Sequence, residues 1–349
     1  MKFALFLPQG ELSMKQLLEL AQEAEAAGFD SIWCPEYFRY GYVLLTAVAQ
    51  ATTRVRMGPA CAMAFGGSPF FHARGARDLA ELSGERFVLG LGTGVPMVIG
   101  HPLSENPPPA AGMREYLEIL RLFWKTWDEN PTQRVRYEGK YYTIDASPDV
   151  AGYPDIKPHV PVHLAAIGPH MTRLAGELAD GVLASPMSSP RYLREEWGPN
   201  IARGAERAGR NPNALERVGV TICSVGSNRA LVRDMARRQL AFYSPGSTEA
   251  LAASGAPRAW FEADGFATET EAVYQGWQKG DVRYAMEGLS DPMLDSYTVA
   301  GTPEECRERA AVFAETYDVM ICYPPSYDTP EESLEAVHQL IESFSKLDL

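Results

Sequence analysis

Eight short segments rich in Val, Ile, Leu and Ala recur along the chain, at about residues 2–7, 30–34, 55–62, 86–92, 161–166, 180–184, 217–225 and 318–323. Most lack polar–apolar alternation, as strands buried on both faces do. Helical patterns separate them. Ser13-Met14-Lys15-Gln16 reads as a capping box ahead of a helix whose apolar positions include Leu17, Leu20, Ala21 and Ala24. Thr302-Pro303-Glu304-Glu305 opens another, with Pro at the first helical position. Met171, Leu174, Ala175 and Leu178 form a core-facing stripe. Such an alternation is satisfied by a closed (β/α)8 barrel or by an open doubly wound sheet. Two stretches break the rhythm. Residues 131–160 read as a β-hairpin, with strands Arg134–Tyr137 and Tyr141–Ile144 around a turn at Glu138-Gly139-Lys140. Residues 244–300 read as helical and loop-like. A length of 349 residues suggests two average domains, yet an α/β barrel of that size is a single one.

Charge and composition exclude several classes. The formal net charge is −13, which argues against nucleic acid or an anionic membrane as partner. The excess acid is uneven: residues 1–174 carry 16 basic and 18 acidic groups, residues 175–349 carry 16 and 27. The C-terminal surplus is expected on outer helices, where it favours solubility. No apolar stretch is long enough to span a bilayer, and the N-terminus lacks the pattern of a signal peptide. Cys34, Cys61, Cys223, Cys306 and Cys322 are scattered without C-x-x-C spacing, so neither zinc nor a disulfide framework is expected. Reduced thiols fit a cytoplasmic protein. The six histidines show no metal spacing, and P-loop, H-E-x-x-H and G-x-S-x-G patterns are absent.

In a parallel barrel, chemistry sits where strands end. Four strand ends stand out. Gly90-Leu91-Gly92-Thr93-Gly94 follows the fourth strand. It allows close ligand approach, or simply marks a turn with positive φ, and its spacing is not the dinucleotide fingerprint. Ile167-Gly168-Pro169-His170-Met171 follows the fifth. Its helix start turns free N–H groups towards the mouth and suits a phosphate, although Gly-Pro starts many helices. Glu36-Tyr37 follows the second and offers two proton donors or, equally, a paired loop carboxylate and a packed ring. Ala60-Cys61-Ala62 follows the third and leaves room for a flat ligand, or packs as ordinary barrel wall. Cys61 has no partner histidine placed by the sequence to make it a nucleophile. His101 lies in a Gly/Pro-rich loop, residues 94–112, and reads either as part of a lid over such a site or, more commonly, as a surface histidine.

The string Gly84-Glu85-Arg86-Phe87-Val88-Leu89-Gly90-Leu91-Gly92-Thr93-Gly94, after Ala80-Glu81-Leu82-Ser83, resembles the fourth-strand signature of the bacterial luciferase-like oxidoreductases. Phe29-Asp30-Ser31-Ile32-Trp33 resembles their second strand. The block Pro161 to Met171, followed by Leu174 to Val182, is similar to the deazaflavin (coenzyme F420) branch, which includes methylene-tetrahydromethanopterin reductases. Val299 to Cys306 is a further family-like block, and the resemblance runs from residue 1 to about 325.

The resemblance implies a (β/α)8 TIM barrel of one domain, residues 1–349, with insertions near 131–160 and 244–300. It further implies a homodimer and a flavin or deazaflavin over the strand ends. Position by position, Ala60-Cys61 matches a bulge where many members hold a non-prolyl cis peptide, with Ala62 beside it. Gly92, Thr93 and Gly94 would flank the cofactor, and Ile167, Gly168, Pro169, His170 and Met171 would hold its phosphate. Two positions depart from the family. Many deazaflavin members carry Asp-His where this chain has Glu36-Tyr37, and some dehydrogenase members carry Glu where it has Val95. Alcohol oxidation by a histidine base is therefore not expected. The expectation is hydride transfer between coenzyme F420 and a small organic substrate, reducing an activated C=C or C=N bond, with Glu36 or Tyr37 as proton donor. A reduced-FMN monooxygenase and a non-catalytic ligand-binding barrel are the alternatives.

Overall fold

The computed structural model describes residues 1–8, 10, 12–94, 107–147, 154–247 and 256–347. The twelve strands of these residues, numbered in chain order, begin with β1 (Lys2–Phe6), β2 (Ser31–Cys34), β3 (Arg56–Pro59), β4 (Ala62–Met63) and β5 (Leu89–Gly92). β6 (Val135–Glu138) and β7 (Thr143–Ala146) form a separate ribbon. β8 (Val162–Ala165), β9 (Gly181–Ala184), β10 (Glu216–Val225), β11 (Thr298–Gly301) and β12 (Val319–Tyr323) complete the set.

The main sheet runs β3-β2-β1-β12-β10-β9-β8-β5-β4, with every pairing parallel. It closes on itself where Met57 of β3 bridges Phe87: Met57 N–H donates to the Arg86 carbonyl at 3.0 Å and Val88 N–H to the Met57 carbonyl at 2.8 Å. β1, β2, β3, β5, β8, β9, β10 and β12 are the eight strands of a (β/α)8 barrel, and each contains or overlaps one of the eight apolar segments of the sequence. Both capping boxes form as read. Ser13 N–H donates to Gln16 Oε1 at 2.9 Å, and Thr302 N–H donates to Glu305 Oε2 at 3.0 Å. The acidic residues Glu304, Glu308, Glu331, Glu332 and Glu335 are exposed on the outer helices Pro303–Phe313 and Pro330–Phe344.

Three local differences from the sequence reading have physical causes. The 55–62 segment is two strands, because Arg56–Pro59 pairs with β2 while Ala62–Met63 turns to pair with β5, with the cis peptide Ala60–Cys61 between them. The second hairpin strand starts at Thr143 rather than Tyr141. Glu115 of the helix Pro109–Glu129 accepts the N–H groups of Lys140, Tyr141 and Tyr142 at 2.8–3.0 Å and keeps them out of the ribbon. The 244–300 insertion, read as helix and loop, ends in β11, which pairs with the long free end of β10 from Ile222 to Val225. Positions 95–106, with Val95 and His101, lie outside the described residues, as do 148–153 and 248–255.

The lower end of the barrel is closed by charge and rings. Arg56 donates to both oxygens of Glu216 at 2.9 and 2.7 Å and to Asp30 at 2.7 Å, and Lys2 reaches Asp30 at 2.9 Å. His163 lies 3.3 Å from Glu216 and stacks on Trp33 at 5.9 Å. Burial holds its pKa down to about 4, with Glu216 opposing, so the ring is neutral in the folded chain. The unfolded chain protonates this ring near its ordinary value, so folding stability falls as pH drops below that value towards about 4. From about pH 7 to pH 5 His163 should cost about 2 kcal/mol. His72, buried and held at about 4 as well, adds in the same direction. Urea unfolding of His163→Phe at the two pH values should show a smaller loss than the unaltered chain, and an equal loss would refute this account.

Candidate active site

The upper end of the barrel gathers the strand ends into one mouth. Inside the barrel, Ala4, Phe6, Trp33, Val88, Leu183, Val218, Val220, Val319 and Ile321 fill the core, and Ala60, Cys61, Ala165 and Tyr323 pack upon it. These four side chains form the floor of the mouth. Three of them are small.

The floor depends on one glycine. A Cβ at Gly92 would stand 2.4 Å from Cys61 Sγ and 3.3 Å from the Ala165 methyl. Gly92 therefore lets β5 press against the cis bend after β3 and brings the Cys61 and Ala165 strand ends together. Gly94, at φ 88°, supplies the turn that the sequence left open as one reading, and Thr93 accepts the Phe65 N–H at 3.2 Å. Ala62 is fully buried, and its side chain joins the core beneath the helices. Burial pushes the Cys61 thiol up to about 12, and the nearby Glu36 charge adds to the shift. The thiol stays protonated at neutral pH and is not a nucleophile.

Glu36 and Tyr37 separate into different tasks. Glu36 accepts from Gly41 N–H at 3.3 Å and from Met63 N–H at 3.1 Å, so it ties the loop after β2 to β4 and to the start of the helix Gly41–Ala51. Backbone amides, not an arginine, hold this carboxylate. Burial raises its pKa and the two amides oppose the rise. Tyr37 is half exposed at 49%, and its hydroxyl lies among Tyr243, Tyr323 and Cys61. Burial of the hydroxyl raises its pKa to about 12, so it remains a proton donor across the physiological range.

The loop after β8 is held from behind. Trp197 Nε1–H donates to the Ala166 carbonyl at 2.9 Å and Tyr192 donates to the Ile167 carbonyl. Gly168 then caps the helix Pro169–Leu178 without any side-chain cap, and a Cβ there would meet nothing within 4 Å. Pro169 has no N–H, so the first-turn donors belong to His170 and Met171. They carry the positive end of the helix dipole. His170 is exposed, its Nδ1 3.4 Å from Arg173, and Met171 is half buried. Among the described residues no group of His, Cys, Asp and Glu is placed to hold a metal ion, and no helix is long and apolar enough to cross a membrane.

Comparison with known proteins places this architecture. The family model described as luciferase-like monooxygenase matches residues 1–319. A 5,10-methylenetetrahydromethanopterin reductase of Archaeoglobus fulgidus is 30% identical over 313 residues, 88% of this chain and 89% of that protein. The chain belongs to the luciferase-like family. It is a luciferase-like oxidoreductase, and solved structures share its fold. The coenzyme F420 dependent tetrahydromethanopterin reductase of Methanopyrus kandleri aligns with a TM-score of 0.78 at 22% identity, covering 99% of both chains. The oxygenating constituent of 3,6-diketocamphane monooxygenase from Pseudomonas putida, in complex with FMN, aligns at 0.65 and 18% identity over 100% of both.

Sequence reasoning missed one residue of the floor and those that back the mouth. Tyr323 could have been found, because it ends the eighth strand. Gln239 and Tyr243, at the end of the helix Arg229–Phe242, carry no local signal, and neither does Tyr192.

The contact between Gly92 and Cys61 makes a testable pair. Gly92→Ala should destabilise the chain by about 1–3 kcal/mol through overpacking. The double variant Gly92→Ala/Cys61→Ala removes the sulfur and should recover most of that loss in thermal unfolding. Additive losses would show that the contact is not the cause.

Proposed function

We propose that the chain is a deazaflavin-dependent oxidoreductase of this family. It moves a hydride between coenzyme F420 and a small organic substrate and reduces an activated C=C or C=N bond. One observation carries the reading. An uncapped helix start with open space above Gly168 stands next to a floor of small side chains, so a ring with a phosphate on its side chain matches the mouth at both ends. The A. fulgidus relative, named as a reductase, supports the same direction.

Each residue then has a task. Ala60, Cys61, Gly92 and Ala165 seat the ring, with Ala62, Thr93 and Gly94 shaping the strand ends around it. Ile167, Gly168, Pro169, His170 and Met171 receive the phosphate through backbone N–H groups and the helix dipole. Glu36 holds the β2 and β4 loops in register, and Tyr37 supplies the proton from the half-exposed rim. The bound deazaflavin supplies the hydride chemistry, and the protein supplies orientation and exclusion of water.

Titration of the purified chain with coenzyme F420 and with FMN, followed by tryptophan fluorescence, tests the reading. Coenzyme F420 should bind at micromolar concentration or tighter. Tight FMN binding without a deazaflavin response would replace the reading with a flavin monooxygenase, and weak binding of both would favour a barrel without turnover. Gly168→Asp sharpens the test. Its carboxylate caps the helix start, so stability should hold or rise by up to about 1 kcal/mol. The same carboxylate fills the anion position, so cofactor affinity should fall at least about tenfold through lost hydrogen bonds and charge repulsion. Unchanged affinity would remove the helix start from the site.

A further inference from the structure

The mouth contains a hydrogen-bonded cluster that these tasks touch only at Tyr37, whose hydroxyl bonds to Tyr243. Tyr323 ends β12 on the floor of the mouth. Its ring is fixed against Phe6, 4.6 Å between centroids, and meets Tyr243 edge-on at 6.3 Å. One of the two donors around its hydroxyl is set by a group that has no choice. Ser326 N–H points at Gln239 Oε1, 3.5 Å away. A backbone N–H only donates, so the amide oxygen of Gln239 faces Ser326 and its NH2 faces Tyr323. Gln239 Nε2 donates to Tyr323 Oη at 3.0 Å, and Tyr243 Oη donates to the same atom at 3.3 Å. A hydroxyl oxygen offers two lone pairs, and both are taken. Neither of these bonds uses the Tyr323 hydrogen, and the ring that carries it packs on the same barrel core as Ala60, Cys61 and Ala165.

We propose that Tyr323 is a ligand-binding residue whose O–H donates to a carbonyl oxygen of the flavin-type ring seated on the Ala60–Cys61 floor, and that Gln239 and Tyr243 are positioning residues that aim it. The proposal rests on the reading above that the mouth takes such a ring. Flavins and deazaflavins both carry carbonyl oxygens on the pyrimidine part of the ring, so the contact serves either. A hydrogen bond there draws electron density from the ring and favours its hydride-carrying form. Half-buried donors tied to fixed partners hold one orientation, and that preorganisation gives the contact its strength.

Oxidised coenzyme F420 and FMN serve as separate probes, with binding read by tryptophan fluorescence and by the visible absorption of the bound ring. Tyr323→Phe keeps the ring and removes only the hydroxyl. It should bind the preferred probe about tenfold more weakly, as expected for one buried hydrogen bond. It should also abolish the absorption shift seen on binding to the unaltered chain, with thermal unfolding close to unchanged. Gln239→Glu turns a donor into an acceptor, so the Tyr323 hydrogen swings to the carboxylate. This variant should reproduce both effects although Tyr323 is intact. Gly168→Asp should weaken binding but leave the absorption shift at saturation. If the unaltered chain binds a probe and Tyr323→Phe binds it with the same affinity and spectrum, the assignment of Tyr323 falls and the cofactor reading stands. If the unaltered chain binds neither probe, both fall.

Discussion

Closure of the sheet between Met57 and Phe87 is the constraint on which the other features depend. Two backbone hydrogen bonds, at 3.0 and 2.8 Å, join the third strand to the start of the fourth and leave the barrel without a free edge there. Every barrel pairing is parallel, so closure brings all eight strand ends to one rim. Residues as distant in sequence as Tyr37, Cys61, Ala165 and Tyr323 meet there for that reason. The tight step from β3 to β5 sets the local demands. The bend at Ala60–Cys61 brings a sulfur to within 2.4 Å of where a Cβ on Gly92 would stand, so a residue without a side chain is needed at that point.

The two ends of the barrel use polar groups for opposite purposes. At the lower end, Arg56, Asp30, Glu216 and Lys2 satisfy one another and His163 is neutral, so the charge there is spent on closing the structure. At the upper end, hydroxyls and amides dominate. Glu36 is committed to backbone amides, Tyr323 accepts twice and keeps its hydrogen, and the helix start at Gly168 has no cap. The net charge of −13 does not conflict with an anion at this place, because dipoles and N–H groups act over the first helical turn while the surplus carboxylates are exposed on outer helices.

Legibility in the sequence followed how local each cause was. The eight apolar segments gave the barrel strands because burial on both faces removes polar alternation whatever the neighbours are. Ser13–Gln16 and Thr302–Glu305 were legible because a capping box is closed within four residues. The register of the hairpin was not, because Glu115 from another helix takes the N–H groups that would have continued it. β11 was missed because Thr298–Gly301 is too short to show a period and becomes a strand only against the extended end of β10. Glu36 was read as a candidate after the second strand, and its partners are backbone amides, which leave no trace in sequence.

By itself the sequence determined the alternation of buried strands and helices, the helix starts and the positions of small residues at strand ends, since each follows from side-chain size, φ preference or hydrogen bonding within a few residues. The choice of a closed barrel over an open sheet lay outside residue patterning, because both satisfy the same alternation, and the family resemblance alone pointed to closure. Only the tertiary structure decided which hydroxyl holds a free hydrogen. Tyr323 ends β12 while Gln239 and Tyr243 stand together at the end of one helix, and the Ser326 N–H that sets which way the Gln239 amide faces reaches it only in the folded chain.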